Sequence, residues 1–387
     1  MSQLICKNCK TKYPDNSKIW KCNCGGLLDL DFQARFPVEE IQKRKPTMWR
    51  YREAIPIEFD KNIISFDEGF TPLIEIAFGG KRALIKQDHL FPTGSYKDRG
   101  ASVLISKVKE LGIGKVVEDS SGNAGSAVAG YCARGGIECD IYVPTDTAEG
   151  KLTQIQLFGA RLNKIPGSRG DTARAVLAAA QENYYASHSW NPYFFHGTKT
   201  FAFEVCEQLG WKAPDTLVLP VGNGTLLLGV YIGFNELLKA GVVDKVPKII
   251  GVQTENCAPL YKALKEKTTE IPKIDKKDTV AEGIAIAEPI RGREIIESVK
   301  SSGGNILTVN EIEIIDTLEE ICLMGFYIEP TSAATIAGLK KYLATSAGET
   351  VVSVFTGNGL KTTEKMLKLG KEFAAKEKLV IPSGDHP

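Results

Sequence analysis

The chain has 387 residues, 43% hydrophobic and 25% charged, with a formal net charge of +1. That length supports a large core and two lobes, and the near-neutral balance excludes nucleic-acid or membrane-surface binding driven by bulk charge. The longest apolar runs, such as LLLGVYIGF, fall far short of a membrane span, and the start MSQLICKNCK lacks a secretory apolar centre, so a cytoplasmic location is expected.

Residues 1–35 read as a small separate unit. Cys6 and Cys9 form a C-x2-C pair, and after twelve residues Cys22 and Cys24 form a C-x-C pair followed by two glycines. Two thiolate pairs on two turns can close a tetrahedral zinc site, and so short a unit has little core without one. The single residue between Cys22 and Cys24 departs from the usual spacing. A ribbon without metal that packs on the main body, or redox pairing of Cys22 with Cys24, are the alternatives. The other cysteines (Cys132, Cys139, Cys206, Cys257 and Cys322) lie scattered among apolar neighbours and read as reduced core residues.

A polar stretch with proline (36–60) leads into the body, where strands and helices alternate. ALIKQD (83–88) reads as a strand and GASVLISKVKELGIG (100–114) as a helix ended by glycine. KVVEDSSGNAGSAVAGYCARGG (115–136) gives strand, loop and small-residue helix. CDIYVP (139–144) is a strand and AEGKLTQIQLFGA (148–160) a helix. DTLVLPVGNGTLLLGVYIGFNELLKAG (215–241) gives strand, glycine loop and helix. KIIGVQT (248–254) is a strand, 262–279 a charged surface excursion, and ETVVSVFTGNG (349–359) a late strand with its loop. The tail GDHP (384–387) is expected to fray. There is no internal repeat. The alternation predicts an α/β protein with mostly parallel sheets.

In such sheets ligands sit beyond the carboxyl ends of the strands. Three strand-end loops carry unusual residues: SSGNAG (120–125), PVGNGT (220–225) and FTGNG (355–359). Gly222, Asn223, Gly224 and Thr225 lie between an apolar strand and an apolar helix. Glycines allow close backbone approach, and the helix start offers free N–H groups, so a phosphate site or a plain tight turn both fit. A fourth stretch, FPTGSYKDRG (91–100), sets Lys97 within a turn. A neutral lysine amine attacks carbonyls. A lysine and a phosphate cup together suit a phosphate-bearing aldehyde cofactor, pyridoxal phosphate.

With these motifs in view, the chain resembles the fold-type II, tryptophan-synthase-β-like pyridoxal-phosphate enzymes, and among them is most similar to the threonine synthases. DEGFTPL (67–73), PTGSYKDRG (92–100), SSGNAG, PVGNGT, EPTSAA (329–334) and TGNGLK (356–361) carry the resemblance, in the family's order, over about residues 65–365. The resemblance implies that Lys97 forms the Schiff base and later shuttles protons. Asn123 would bond the ring 3′-oxygen, and Gly222, Asn223, Gly224 and Thr225 the phosphate. Thr356 would face the pyridine nitrogen with a neutral hydroxyl, which disfavours full carbanion delocalisation and suits elimination and replacement. Ser120, Ser121 and Ala124 would meet the substrate carboxylate. Asp98 and Arg99 would brace the helix start.

Two departures concern the substrate. The family typically carries an arginine after Asn-Pro-Tyr, able to fork onto a phosphate; here Phe194 stands there. Lys151 and Arg161 are cationic candidates to replace it. His196 reads either as a polar substrate contact or as a packed histidine. The segment AEGIAI (281–286) resembles that of serine and threonine dehydratases, with Glu282 a side-chain contact, a base or a loop carboxylate. The leading expectation is therefore γ-elimination and replacement on O-phosphohomoserine. The alternatives are dehydratase-type β-elimination, β-replacement on O-phosphoserine as in cysteate synthases, and a non-catalytic cofactor-binding paralogue. The resemblance also implies a large lobe (36–105 and 200–387), a smaller mobile substrate lobe (106–199), and a homodimer. The only partner expected besides a second copy is a small amino-acid substrate.

Overall fold

The computed structural model describes residues 2–380; the GDHP tail lies outside them. A three-stranded antiparallel ribbon opens the chain, with Gln3–Cys6 between Lys12–Pro14 and Leu28–Asp31. The body is α/β, built on two sheets. The larger has six strands in the order Asn305–Val309, Lys248–Thr254, Thr216–Pro220, Val351–Val354, Lys81–Lys86 and Leu73–Phe78. All neighbours in it are parallel except the last pair. The smaller is wholly parallel, in the order Arg161–Ile165, Glu138–Pro144, Lys115–Glu118 and Tyr184–Tyr185.

The strands legible in the sequence are the central ones. Thr216–Pro220 and Val351–Val354 are buried throughout, because helices cover both faces of a parallel sheet and every side chain must be apolar or paired. The edge strand Leu73–Phe78 was not anticipated. It alternates buried and exposed positions and turns back on itself at Gly79 and Gly80, whose φ angles of 57° and 83° suit a two-residue hairpin. The stretch 36–60 is not a plain linker either: it holds the helix Val38–Lys43 and two short 3-10 turns.

The helix Lys97–Glu110 is the centrepiece of the packing. Gly100 on it lies under the Phe194 ring, and a Cβ there would come 2.3 Å from the ring. A Cβ on Gly197 of the helix Pro192–Thr198 would likewise come 2.1 Å from the Arg99 carbonyl oxygen. The two helices touch through these glycines. Arg99 itself is wholly buried. Its guanidinium takes Asp88 on one side (2.8 Å twice) and Glu204 on the other (2.6 and 2.8 Å). Lys86 completes the group, 2.7 Å from Glu204. Burial acts to raise the Glu204 carboxyl, but Arg99 and Lys86 outweigh it and hold it down at about 2.

The ribbon docks on both parts of the body. Trp20 packs edge-on against Tyr185 and Trp190, and its Nε1–H donates to the Ala180 carbonyl at 3.3 Å. Arg291, nearly buried, donates to the Leu28 carbonyl at 2.8 Å and the Trp190 carbonyl at 3.0 Å, and pairs with Asp29. Among the described residues no helix is long and apolar enough to cross a membrane.

Removing one member of the buried charge group leaves its partners unpaired in a dry interior. Arg99→Met is expected to cost about 3–5 kcal/mol of stability, read as a shifted chemical-denaturation midpoint. Glu204→Gln should cost less, because it keeps a hydrogen-bonding side chain for Arg99. Equal stability of Arg99→Met and the parent would refute the role given to the group.

Candidate active site

A cleft of about 940 Å³ lies at the carboxyl ends of the strands and gathers the four sequence-selected loops. Lys97 opens its helix, one residue after Tyr96, whose N–H is held by the Thr356 carbonyl at 3.0 Å. The Asn358 N–H reaches back to the Gly94 carbonyl at 2.9 Å. The lysine turn is thereby sewn to the loop after Val351–Val354. Gly94 has φ 84°, a conformation that favours glycine. Asp98 accepts from the Thr93 N–H (2.8 Å) and hydroxyl, which closes the turn from behind. Burial pushes the Asp98 carboxyl up to about 7. Neither Asp98 nor Arg99 lines the cleft.

The Lys97 Nζ donates to Thr225 Oγ1 at 2.7 Å, and the Tyr96 hydroxyl lies 2.8 Å from the same oxygen. Thr225 starts the helix Thr225–Lys239, and Gly224 before it has φ 75°. A Cβ on Gly222 would press on the Ile284 backbone at 3.0 Å, and one on Gly224 on Ile295 at 2.4 Å. The N–H groups of Gly222, Asn223 and Gly224 donate to no acceptor among the described residues. Unpaired N–H groups at a helix start, a hydroxyl and an amine thus converge on one point. They fit the phosphate and aldehyde ends of pyridoxal phosphate.

Asn123, Ser120, Ser121 and Ala124 line the same cleft. Asn123 begins the helix Asn123–Gly135, and its Nδ2–H donates to Glu329 Oε2 at 2.9 Å. Thr356 is placed differently from the wall position the resemblance implies. It is fully buried behind Glu329, and its hydroxyl bonds Glu329 Oε1 at 3.0 Å and Ser332 Oγ at 2.9 Å. Glu329, in the EPTSAA motif, is therefore the group on the wall. Burial raises its carboxyl above the usual range, against the pull of Asn123 and Thr356.

Lys151 and Glu282 meet across the cleft as an ion pair, and Lys365 joins Glu282 at 2.6 Å. Burial acts to raise Glu282, but the two lysines outweigh it and keep it below its ordinary value. Lys361 lies beside them, bonded to the Thr93 carbonyl at 2.8 Å and to Gln154. Burial lowers its amine despite Asp98 and Glu329 nearby. Two other candidates are elsewhere. Arg161 is paired with Asp140 on the small sheet, outside the cleft. His196 is buried against Lys199 Nζ at 2.8 Å, also outside it, so the packed alternative holds for this histidine. Phe194 is buried over Gly100 and does not line the cleft.

Sequence reasoning missed Glu329, Lys361, Lys365, Arg169 and His188 on the wall. The first two lie inside quoted motifs, so a signal existed. His188 lies just before the Asn-Pro-Tyr triplet, with nothing local to mark it. In the ribbon, the Sγ atoms of Cys6, Cys9, Cys22 and Cys24 lie within 4.8 Å of one another, with the Cys6–Cys24 and Cys9–Cys22 pairs at 3.5 Å. A tetrahedral zinc–thiolate site sets its sulfurs about 3.8 Å apart, so the four fit that ion.

The family model for pyridoxal-phosphate dependent enzymes matches residues 64–357. Threonine synthase of Methanocaldococcus jannaschii is 33% identical over 383 residues, covering 95% of each chain. Threonine synthase of Methanosarcina acetivorans is 34% identical over 387 residues, covering 96% of this chain and 95% of that one. Among solved structures, a pyridoxal 5′-phosphate-dependent aspartate racemase superposes with a TM-score of 0.66 at 22% identity, over 85% of this chain and 96% of that one. The processed threonine deaminase isoform 2 of Solanum lycopersicum does so with 0.66 at 20%, over 88% and 91%. These last two speak for the fold alone.

Lys97→Ala is expected to stay folded, with an unchanged melting profile, while losing the visible Schiff-base absorption that the loaded parent displays. A variant that keeps both the band and activity would refute the role of Lys97.

Proposed function

Because the chain belongs to the pyridoxal-phosphate-dependent enzyme family and is a threonine synthase-like lyase, we propose that it converts O-phosphohomoserine and water to threonine and phosphate. The observation that carries this reading is the 2.7 Å contact of Lys97 with Thr225, which puts an amine and a phosphate cup in one cleft whose mouth is cationic. Bound pyridoxal phosphate supplies an electron sink that acidifies neighbouring C–H bonds. Lys97 carries the protons from substrate carbon, as a free amine beside the cup. Asn123 would hold the ring oxygen, and the 222–225 loop the phosphate. Thr356, which bonds Glu329, would meet the ring nitrogen with its neutral hydroxyl. Ser120, Ser121 and Ala124 take the substrate carboxylate with hydroxyl and N–H donors.

The substrate phosphate needs cations, and Phe194 offers none. Among the cations that line the cleft, Lys151, Lys361 and Lys365 would serve, with Glu282 holding two of them in place until an anion competes. Residues 106–199 act as the mobile lobe that brings Lys151 onto the substrate and excludes water. The cysteine cluster binds a structural zinc ion that keeps the ribbon folded. A homodimer in the cytoplasm completes the proposal.

The decisive experiment gives O-phosphohomoserine to the loaded enzyme and follows phosphate and threonine together. Equal, catalytic appearance of both is expected. No phosphate, with oxoacid from serine or threonine, would overturn the reading in favour of a dehydratase; turnover of O-phosphoserine alone would overturn it in favour of β-replacement. Lys361→Ala should raise KM roughly tenfold or more with a smaller effect on kcat, since a charge-assisted bond is lost. Elemental analysis should find about one zinc per chain, and Cys22→Ser should lose it and lower the melting temperature. A metal-free, equally stable parent would refute the zinc site.

A further inference from the structure

One buried pair of titratable groups, His188 on the cleft wall and Glu118 behind it, has no part in the scheme above. His188 follows the short strand Tyr184–Tyr185, and Glu118 ends the neighbouring strand Lys115–Glu118. The two are 70 residues apart in sequence, yet His188 Nδ1 lies 2.7 Å from Glu118 Oε1. Glu118 is wholly buried, and its second oxygen, Oε2, has no hydrogen-bond partner among the described residues. The other ring nitrogen, Nε2, points to the cleft side, 3.4 Å from the Asn223 side-chain nitrogen of the glycine loop. That separation is too long for a strong bond, so Nε2 remains available to a ligand.

The charged groups facing the pair are Lys97, Arg169 and Asp119. Arg169 pairs loosely with Asp119 at 3.7 Å, and the Tyr185 hydroxyl donates to Asp119 at 2.7 Å. Burial pushes the His188 imidazole down to about 3, with Lys97 adding to the effect. Burial likewise pushes the Glu118 carboxyl up to about 8. Burial favours the uncharged form of both groups, and in that form the Glu118 carboxylic acid can donate to Nδ1, which places the His188 proton on Nε2, facing the cleft.

Resting on the phosphate-elimination reading, we infer that His188 is the proton donor to the departing phosphate, with Glu118 behind it as the positioning and relay residue. The chemistry requires such a donor. A phosphate monoester dianion that leaves by carbon–oxygen cleavage departs as a trianion unless a proton joins it. In the step, a substrate C–H proton passes to Lys97, and its electron pair forms the new carbon–carbon double bond. The Cγ–O bond breaks, and its electron pair leaves on the ester oxygen. The Nε2 proton of His188 joins that oxygen, and the Glu118 proton moves to Nδ1. The immediate products are hydrogen phosphate, a neutral His188 protonated on Nδ1, and a Glu118 carboxylate; a proton from water then adds at Nε2 on the cleft side and the Nδ1 proton returns to Glu118, which restores the starting pair. The pair needs no permanent charge before or after binding an anion, which suits its burial.

The test uses the full-length loaded enzyme with His188→Gln and Glu118→Gln. Three quantities are followed: phosphate release, exchange of substrate hydrogens with deuterated water, and the Schiff-base absorption spectrum. Both variants are expected to keep the spectrum and the exchange, while kcat for phosphate release falls about 100-fold with KM little changed. In the parent, kcat should fall as pH rises above about 8, where the pair loses its donor proton. In His188→Gln that alkaline limb should vanish. Parent-like release and an unchanged limb in both variants would overturn the inference while leaving the functional reading intact. Loss of exchange and release together in both variants would assign the pair to binding or folding, and would also overturn it. A parent that exchanges hydrogens but frees no phosphate would fail the functional reading itself, and with it this inference.

Discussion

The buried charges Asp88, Lys86, Arg99 and Glu204 are the constraint on which the site depends. Two cations and two anions, all without solvent exposure, share one network. Each would be costly alone in the interior, and paired geometry offsets that cost without making the group a large net source of stability. Its value is positional. Arg99 is two residues after Lys97, so fixing its guanidinium between Asp88, in the turn after the strand Lys81–Lys86, and Glu204 of the helix Thr200–Gln208 fixes the helix start. The reactive amine then has little freedom in where it projects. Gly100 and Gly197 serve the same end, because their missing side chains let the two helices close on each other.

From that anchored amine outward, the cleft sorts its charges by depth. The Glu329 carboxyl on the inner wall and the Glu118 carboxyl behind His188 are both buried, and burial raises both above the usual carboxylate range. The lysines at the mouth, Lys151 and Lys365, keep a carboxylate ionised between them. Raised carboxyls inside and cations outside suit the anionic substrate proposed above. The ribbon belongs to the same mechanics. Through Trp20 it grips the small sheet's flank, and through Asp29 and Leu28 it meets Arg291 beside the larger one. Any relative movement of the two parts is felt at this strap.

The central parallel strands, the glycine loops after them and the lysine turn were all legible in the sequence, because each depends on residues within about ten positions of one another. Apolar runs force buried strands, and glycines before a helix leave its first N–H groups open to an anion. The edge strand Leu73–Phe78 was less visible: its run LIEIAF is apolar at five of six positions, so the alternation in its burial is not written in its polarity. Phe194 could be identified as a missing cation, but its place over Gly100 could not be foreseen.

By itself the sequence determined the chemistry on offer: the Lys97 turn, a glycine loop at a helix start, an asparagine, a thiol cluster and their order along the chain. Only the tertiary structure decided which groups face one another. It put Glu329 in front of Thr356, gathered Lys361 and Lys365 beside Lys151, and joined His188 to Glu118. The physical reason is that these contacts follow from sheet order and burial. Sheet order brings together strands far apart in the chain. Burial then alters what an ordinary glutamate or histidine can do, and neither effect leaves a mark on the residues nearby in sequence.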